Sequence, residues 1–373
     1  MSRSKLRTLV AGLGIFLLAG YAGMAGLSGS PSLQVAPAAA QTGGQVPGNW
    51  SGSSSASDIW GVIRKGRCGT VSIPDKQAGC LVQSEGEEFR AFRNGPMSSI
   101  GGWSMLAMLV VIALFFAVRG RIRIDAGPHP EGRTIERFNG LERFTHWLTA
   151  SSFIILSITG LNVLYGKYIF PAIIGKSAFA TLTMWGKMAH NYISWAFMLG
   201  IFMMFILWVK DNIPGKVDLQ WLAAGGGFFS KGVHPPSRRF NAGQKLVFWA
   251  VIGGGVAHIF TGLQLLFPFE IQFFAEVFTV LNLVGFSLPM ELTVLQEIQY
   301  ALLWHGVSTF IMLLLIFAHI YIGSLGMEKA FDAVGTGQVD LNWAKEHHGL
   351  WVEEMEQEAA EDAGQTAQQQ PAE

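Results

Sequence analysis

Long apolar runs, separated by short charged or Gly/Pro-rich segments, dominate this chain. The run Gly102 to Val118 is just long enough to span a bilayer at ~1.5 Å per residue, and Arg119, Arg121 and Arg123 follow at once. Four more apolar segments cover about 146–164, 186–209, 246–267 and 299–325. Runs of this length predict membrane-spanning helices, because only a helix satisfies all of its backbone polar groups within the segment. A further stretch, 271–289, is apolar but interrupted by Glu276 and ended by Pro289, which predicts an interfacial or re-entrant helix. No internal repeat stands out on this reading.

Composition agrees with a polytopic membrane protein. Half of the 373 residues are hydrophobic and only 14% are charged, with 12 Trp and 27 Phe. The net charge of zero hides an uneven distribution, since Lys and Arg are absent between Lys245 and Lys329. Basic residues gather instead in two loops. Arg119, Arg121, Arg123, Arg133, Arg137 and Arg143 lie before the 146–164 helix, and Lys210, Lys216, Lys231, Arg238, Arg239 and Lys245 lie between the second and third core helices. The positive-inside rule places both loops and the C-terminus in the cytoplasm, and reads these clusters as topology, not as nucleic-acid binding. The loops 165–185 and 268–298 then face the periplasm.

The start of the chain has a basic n-region (Arg3, Lys5, Arg7), an apolar stretch and the small-residue run Ala38–Ala40, which reads as a signal peptide over 1–40 or as an uncleaved N-terminal helix. Both readings export the segment 41–100, a periplasmic linker. Its two cysteines, Cys68 and Cys80, are the only ones in the chain and could oxidise to a disulfide there. Neither stands in a C-x-x-C-H sequence, so any haem must be held non-covalently. The tail 352–373 is acidic and then Gln/Ala-rich, which predicts a disordered cytoplasmic segment.

Nine histidines occur, and His146, His190, His258, His305 and His319 lie in or at the ends of core helices. Ionisable groups in hydrocarbon are costly and mark function, although a single such His more often bonds one helix to another. The arrangement says more. His305 and His319 share one helix 14 residues apart, which is ~21 Å of rise with both rings on roughly one side. Depth pairs His190 with His305 near the periplasm and His146 with His319 near the cytoplasm. Two imidazole pairs at two levels are what two six-coordinate b haems require, whereas zinc would need three or four ligands at one level. Arg143 and Lys187, each three residues before a ligand, are candidates for haem propionates, or cations snorkelling at helix ends. Gly160, Gly200, Gly262 and Gly306 could make room for porphyrin or serve helix packing. His258 has no partner at its depth and reads as structural; His347 and His348 read as cytoplasmic surface residues.

The fold class is therefore all-α integral membrane: a four-helix transmembrane di-haem bundle over 120–351, preceded by one extra transmembrane helix at 101–119. Alternatives in other classes are a haem-free membrane anchor and a transporter with an intramembrane proton relay.

ERFTHW (142–147), GKMAHNYISW (186–195), KDNIPGKVDLQWL (210–222), RFNAGQKLVFW (239–249), WHGVSTFIMLLLIFAHIYIG (304–323) and NWAKEHHGLW (342–351) together resemble the gamma, cytochrome b, subunit of membrane-bound formate dehydrogenases of the formate dehydrogenase-N type. The resemblance covers about 130–351. It implies the same ligand pairs, His146 with His319 and His190 with His305, and a quinone pocket at Asn241, Gly243, Gln244 and His319. Asn and Gln amides suit a quinone carbonyl, while Asn241 also suits a helix N-cap. Further implications are an iron–sulfur beta subunit, a molybdenum or tungsten catalytic alpha subunit, quinone as electron acceptor and a place in the bacterial inner membrane, in contact with lipid. Cytochromes b of hydrogenases and thiosulfate reductases share the di-haem logic and are the alternative. The first 125 or so residues have no counterpart in short family members.

Overall fold

The computed structural model describes residues 69–70, 80–81, 86–229 and 232–369. The signal-like segment 1–40, most of the 41–100 linker and Cys68 lie outside the described residues, as does the expected Cys68–Cys80 disulfide. Five helices are long and apolar enough to cross a membrane. They are α1 Glu88–Arg119, α2 Gly140–Ile174, α3 Lys176–Trp208, α5 Ala242–Leu266 and α7 Val294–Tyr321, which continues through a π-turn to Gly326. Shorter helices complete the series: α4 Lys216–Ala223, α6 Phe274–Leu283, α8 Asp332–Gly335 and α9 Leu341–Gln369. Two-residue strands β1 Gly69–Thr70 and β2 Cys80–Leu81 pair antiparallel, as do β3 Thr134–Glu136 and β4 Gln338–Asp340. Only 6% of the apolar window of α1 is buried inside the chain, so its surface is suited to lipid and not to water.

Three segments differ from expectation. The loop foreseen at 165–185 is helical except at Gly175, whose φ of +81° breaks the chain between α2 and α3. Its few lysines mark the ends of two long helices, not a loop. The tail from Glu353 is helical through Gln369, because its Glu, Ala and Gln residues are good helix formers. Arg238–Glu354 and Lys345–Glu356 ion pairs lie along it. His347 and His348 are not surface residues: His348 is 1% exposed, with Nδ1 2.8 Å from the Arg238 carbonyl.

The chain forms two compact units. One comprises Trp103–Ile259 and Ser308–Glu373. Its core joins Phe197, Ile201, Met204 and Trp208 of α3, Phe248, Val251 and Ile252 of α5 and Met312 of α7. The same core includes Ile122, Met327, Val339, Trp343 and Trp351. Ile122 bridges to Met327 and β3 pairs with β4. The two basic loops and the C-terminal helix therefore share one membrane face. The other unit contains Phe260–Val307. There the ten-residue α6, too short to span, packs Phe274 and Phe278 near Ala301. Its N-terminal amides, Phe274 and Ala275, donate to the buried Glu297 carboxylate at 2.9 Å.

An internal repeat is present. Arg137-Phe138-Asn139 returns as Arg239-Phe240-Asn241, Trp147 as Trp249, and Thr159-Gly160-Leu161 as Thr261-Gly262-Leu263, each 102 positions on. Val217-Asp218-Leu219 with Trp221 returns as Val339-Asp340-Leu341 with Trp343, 122 positions on. The contacts are reciprocal. Arg137 donates to the Arg239 carbonyl at 2.6 Å, and Arg239 to the Arg137 carbonyl at 2.8 Å. Trp147 Nε1 donates to the Val334 carbonyl and Trp249 Nε1 to the Asn212 carbonyl, both at 2.9 Å. Arg143 reaches the Gly335 carbonyl as Lys245 reaches that of Ile213. A capping box opens each half, Asn139 with Glu142 and Asn241 with Gln244.

Candidate haem and quinone site

The capping box at Asn139 and Glu142 starts α2 early enough to place His146 two turns in. The His146 ring lies 6.3 Å, centroid to centroid, from that of His319 on α7. Metal–imidazole bonds of about 2 Å on either side of one ion put two ring centroids about 6 Å apart, so this spacing suits bis-imidazole ligation. Orphaned atoms point the same way. His146 Nδ1 and, one turn earlier, Arg143 Nε are buried without a hydrogen-bond partner. Such groups are costly in isolation, and a haem propionate beside Arg143 would satisfy its Nε donor. The residues present thus fit a haem. The position that matches His146 in the second half is Phe248, buried in the core, so the repeat does not duplicate this pair.

The other two predicted ligands share a local design. His190 Nδ1 lies 2.9 Å from Thr159 Oγ1, whose own hydroxyl donates to the Ile155 carbonyl at 2.8 Å. With the hydroxyl proton on the Ile155 carbonyl, the oxygen accepts from Nδ1–H and Nε2 carries the lone pair, the tautomer a metal-ligating His needs. His305 Nδ1 sits 2.8 Å from Thr261 Oγ1, the repeat partner of Thr159. A Cβ added at Gly160 would lie 3.6 Å from His190 Cε1, and one at Gly262 3.9 Å from His305 Cε1. These glycines flank the rings. Gly200 instead lets α3 approach Thr149 of α2, and Gly306 faces Met97.

His258 is anchored by its Nδ1–H to the Gly254 carbonyl at 2.7 Å, and its Nε2 accepts from Thr309 Oγ1 at 3.0 Å. That is a helix-to-helix tie, as its lack of a depth partner suggests. Lys187 is exposed one turn before His190. Among the described residues no group of three or more His, Cys, Asp or Glu is placed to hold a metal ion.

Asn241, Gly243 and Gln244 come together at the start of α5. Asn241 Oδ1 accepts from the Gln244 amide at 2.9 Å, and Gln244 Oε1 from the Asn241 amide at 3.0 Å. Capping occupies both side-chain oxygens, so each side chain can offer a ligand N–H donors, the type a quinone carbonyl needs. A Cβ at Gly243 would come within 2.9 Å of Trp221. Asn241 and Trp221 line a cavity of ≈ 290 Å³. His319, the fourth residue expected here, is placed beside His146.

Beneath this site Arg137 is 2% exposed, between the rings of Phe138, Phe240, Trp343 and Trp351. Burial, helped by Arg239 and opposed by Glu142, lowers its pKa to about 9, so it stays charged at neutral pH. Arg239 holds the buried Glu142 at 2.8 Å and Asp211 at 2.7 Å. Sequence reading missed this ion-pair centre; the RFN repeat was its signal.

Among curated proteins, the chain is 25% identical over 232 residues to the formate dehydrogenase, nitrate-inducible, cytochrome b556(Fdn) subunit of Escherichia coli, covering 62% of this chain and 95% of that protein. It is 27% identical over 223 residues to the E. coli formate dehydrogenase cytochrome b556(fdo) subunit, covering 60% and 93%. A Haemophilus influenzae formate dehydrogenase cytochrome b556 subunit is 23% identical over 215 residues, covering 57% and 79%. The sequence model described as prokaryotic cytochrome b561 matches residues 137–332, more than half of the chain and the stretch holding all four paired histidines. This chain, with its five apolar spans, belongs to the prokaryotic cytochrome b561 family of helical membrane haem proteins.

Proposed function

We propose that this chain is the membrane cytochrome b subunit of a formate dehydrogenase complex in a bacterial inner membrane. It receives electrons from an iron–sulfur partner subunit, fed in turn by a molybdenum or tungsten catalytic subunit, and delivers them to a membrane quinone. The observation that carries the reading is the His146–His319 pair at 6.3 Å, with the buried Arg143 Nε without a hydrogen-bond partner one turn before it, in a chain whose relatives are named as formate dehydrogenase cytochrome b556 subunits.

Haem, when bound, would supply reversible one-electron transfer, and ligation by two histidines would suit it to that role and not to binding oxygen. His146 and His319 hold one haem. Helix depth and the family resemblance assign His190 and His305 to the second. Thr159 and Thr261 orient the latter two rings through Nδ1. Arg143 and Lys187 neutralise propionates at the two levels. Asn241 and Gln244 donate amide hydrogens to the quinone, and Gly243 keeps Trp221 close. The face that carries the basic loops and α9 is assigned to the cytoplasm by the charge rule.

Formate added to membranes containing the complex should reduce the b-type bands, and a quinone should reoxidise them. Reduction by hydrogen or by a sulfur compound in place of formate would assign the chain to a hydrogenase or thiosulfate reductase complex.

A further inference from the structure

The cavity beside Asn241 is walled by segments far apart in the sequence. The arm Arg119–Asp125, which begins at the last residue of α1 and precedes the family-matched region, forms one side. His234 and, from α9, His347 form others. The arm is fixed in place. Arg119 Nε donates to the Phe228 carbonyl at 2.6 Å, Ile122 bridges Met327, and the Glu346 carboxylate accepts the Asp125 and Ala126 amides. Within the cavity wall, His234 Nε2 lies 3.0 Å from Asp125 Oδ2, and the His234 and His347 rings are 6.0 Å apart. His347 Nε2 is buried without a hydrogen-bond partner. The wall is polar and includes three arginines, which suits water and protons better than the apolar body of a quinone.

We propose that this cavity is the water-side proton entrance to the quinone site, with His347 passing protons toward Asn241, Asp125 and His234 reloading it, and the arm after α1 as its outer wall. The proposal rests on the quinone reading above. Reduction of a quinone to a quinol consumes two electrons, which arrive through the haems, and two protons, which come from water. His347 accepts a proton on one ring nitrogen and gives one up, and so ends each cycle unchanged. Burial, with His234 and Arg137 beside it and Asp125 opposing, lowers the His347 pKa to about 4. The ring is therefore neutral at rest and gains proton affinity when negative charge builds at the Asn241 end. The other ionisable neighbours suit this role. His348 is buried and held by the Arg238 carbonyl, Glu346 is tied to backbone amides, and Arg121 and Arg123 supply positive charge that favours an electron-rich quinone. The extra N-terminal helix then serves the reaction as well as anchoring the chain.

The test uses the intact complex in proteoliposomes with a short-chain quinone. Haem reduction by formate and haem reoxidation by quinone are followed separately, across pH, in H2O and D2O. His347→Gln should leave reduction by formate unchanged, slow reoxidation on the order of 100-fold, and recover in part with added imidazole. Asp125→Asn, at the exposed cavity rim, should show the same split more weakly. Reoxidation at the wild-type rate with the wild-type pH profile in both variants would overturn the proposal. So would a parallel loss of haem reduction, which signals a structural role. If His347→Gln loses haem, Asp125→Asn decides alone, and an unchanged rate overturns the proposal. Wild-type complex that reduces its haems but never passes electrons to quinone would instead remove the quinone reading itself.

Discussion

Replacing Thr159 by Val tests how the second pair of histidines is set for its task. With the Thr159 hydroxyl proton on the Ile155 carbonyl, the oxygen accepts from His190 Nδ1–H at 2.9 Å. Valine keeps the shape and removes the acceptor. A neutral hydrogen bond of this kind is worth about 0.5–1.5 kcal/mol net. Only the part that differs between ferric and ferrous haem moves the potential. At most the whole of the bond's energy differs, so the shift is bounded at up to about 20–60 mV for one electron. The sign is positive, because a less basic imidazole stabilises ferric iron less. Redox titration of the b bands in Thr159→Val should show one haem raised by up to that amount and the other unmoved. Thr261→Val should raise the same haem, since His190 and His305 are assigned to one iron, and Thr159→Ser should behave as wild type. Unchanged potentials in both Val variants, or shifts in different haems, would refute the reasoning.

Three further outcomes follow from packing and charge. Arg239→Leu leaves Glu142, 5% exposed, without its cation and should cost about 3–5 kcal/mol, seen as a lower Tm of the purified protein; Arg239→Leu with Glu142→Leu should recover part of that loss, and a double variant no better than the single one would contradict the pairing. Gly200→Ala places a Cβ 3.1 Å from Thr149 Cα and closer to its hydroxyl, so α2 and α3 must move apart at about 1–3 kcal/mol, again read as Tm; an unchanged Tm would contradict this close approach. His347 and His348 are both held neutral by burial below the ordinary value of 6.5, so the folded chain binds fewer protons than the unfolded one. Stability is then full above about pH 6.5 and falls below it, by up to ~3 kcal/mol for His347 as pH approaches 4. His347→Gln combined with His348→Gln should flatten Tm against pH in that window, and an unaltered slope would contradict the assignment.

The chemistry was legible where polar residues interrupt hydrophobic periodicity. His190, His305 and His319 stand out in helices that otherwise carry little charge, and helical rise alone sorts them by depth. The Asn241 motif was legible too, its suitability as a helix N-cap included, and the structure adds the reciprocal bonds with Gln244. The cavity was not, because Asp125, His234 and His347 come from three segments that only tertiary packing unites. His347 and His348 were misread as surface residues because they follow the last span among charged neighbours, while Arg137, Trp343 and Trp351 build a buried layer around that stretch. The repeat escaped notice because its halves keep only short identities, RFN, TGL and VDL, whereas the reciprocal arginine and tryptophan bonds make it plain.

The central claim is that four histidines on three helices hold two b haems. Haem quantitation per polypeptide on the purified chain, taken with its reduced-minus-oxidised visible spectrum, tests this most directly. Two b-type haems per chain are predicted, falling to one in His146→Ala as the bands of a single haem disappear. No b-type bands, or one haem per wild-type chain, would contradict it.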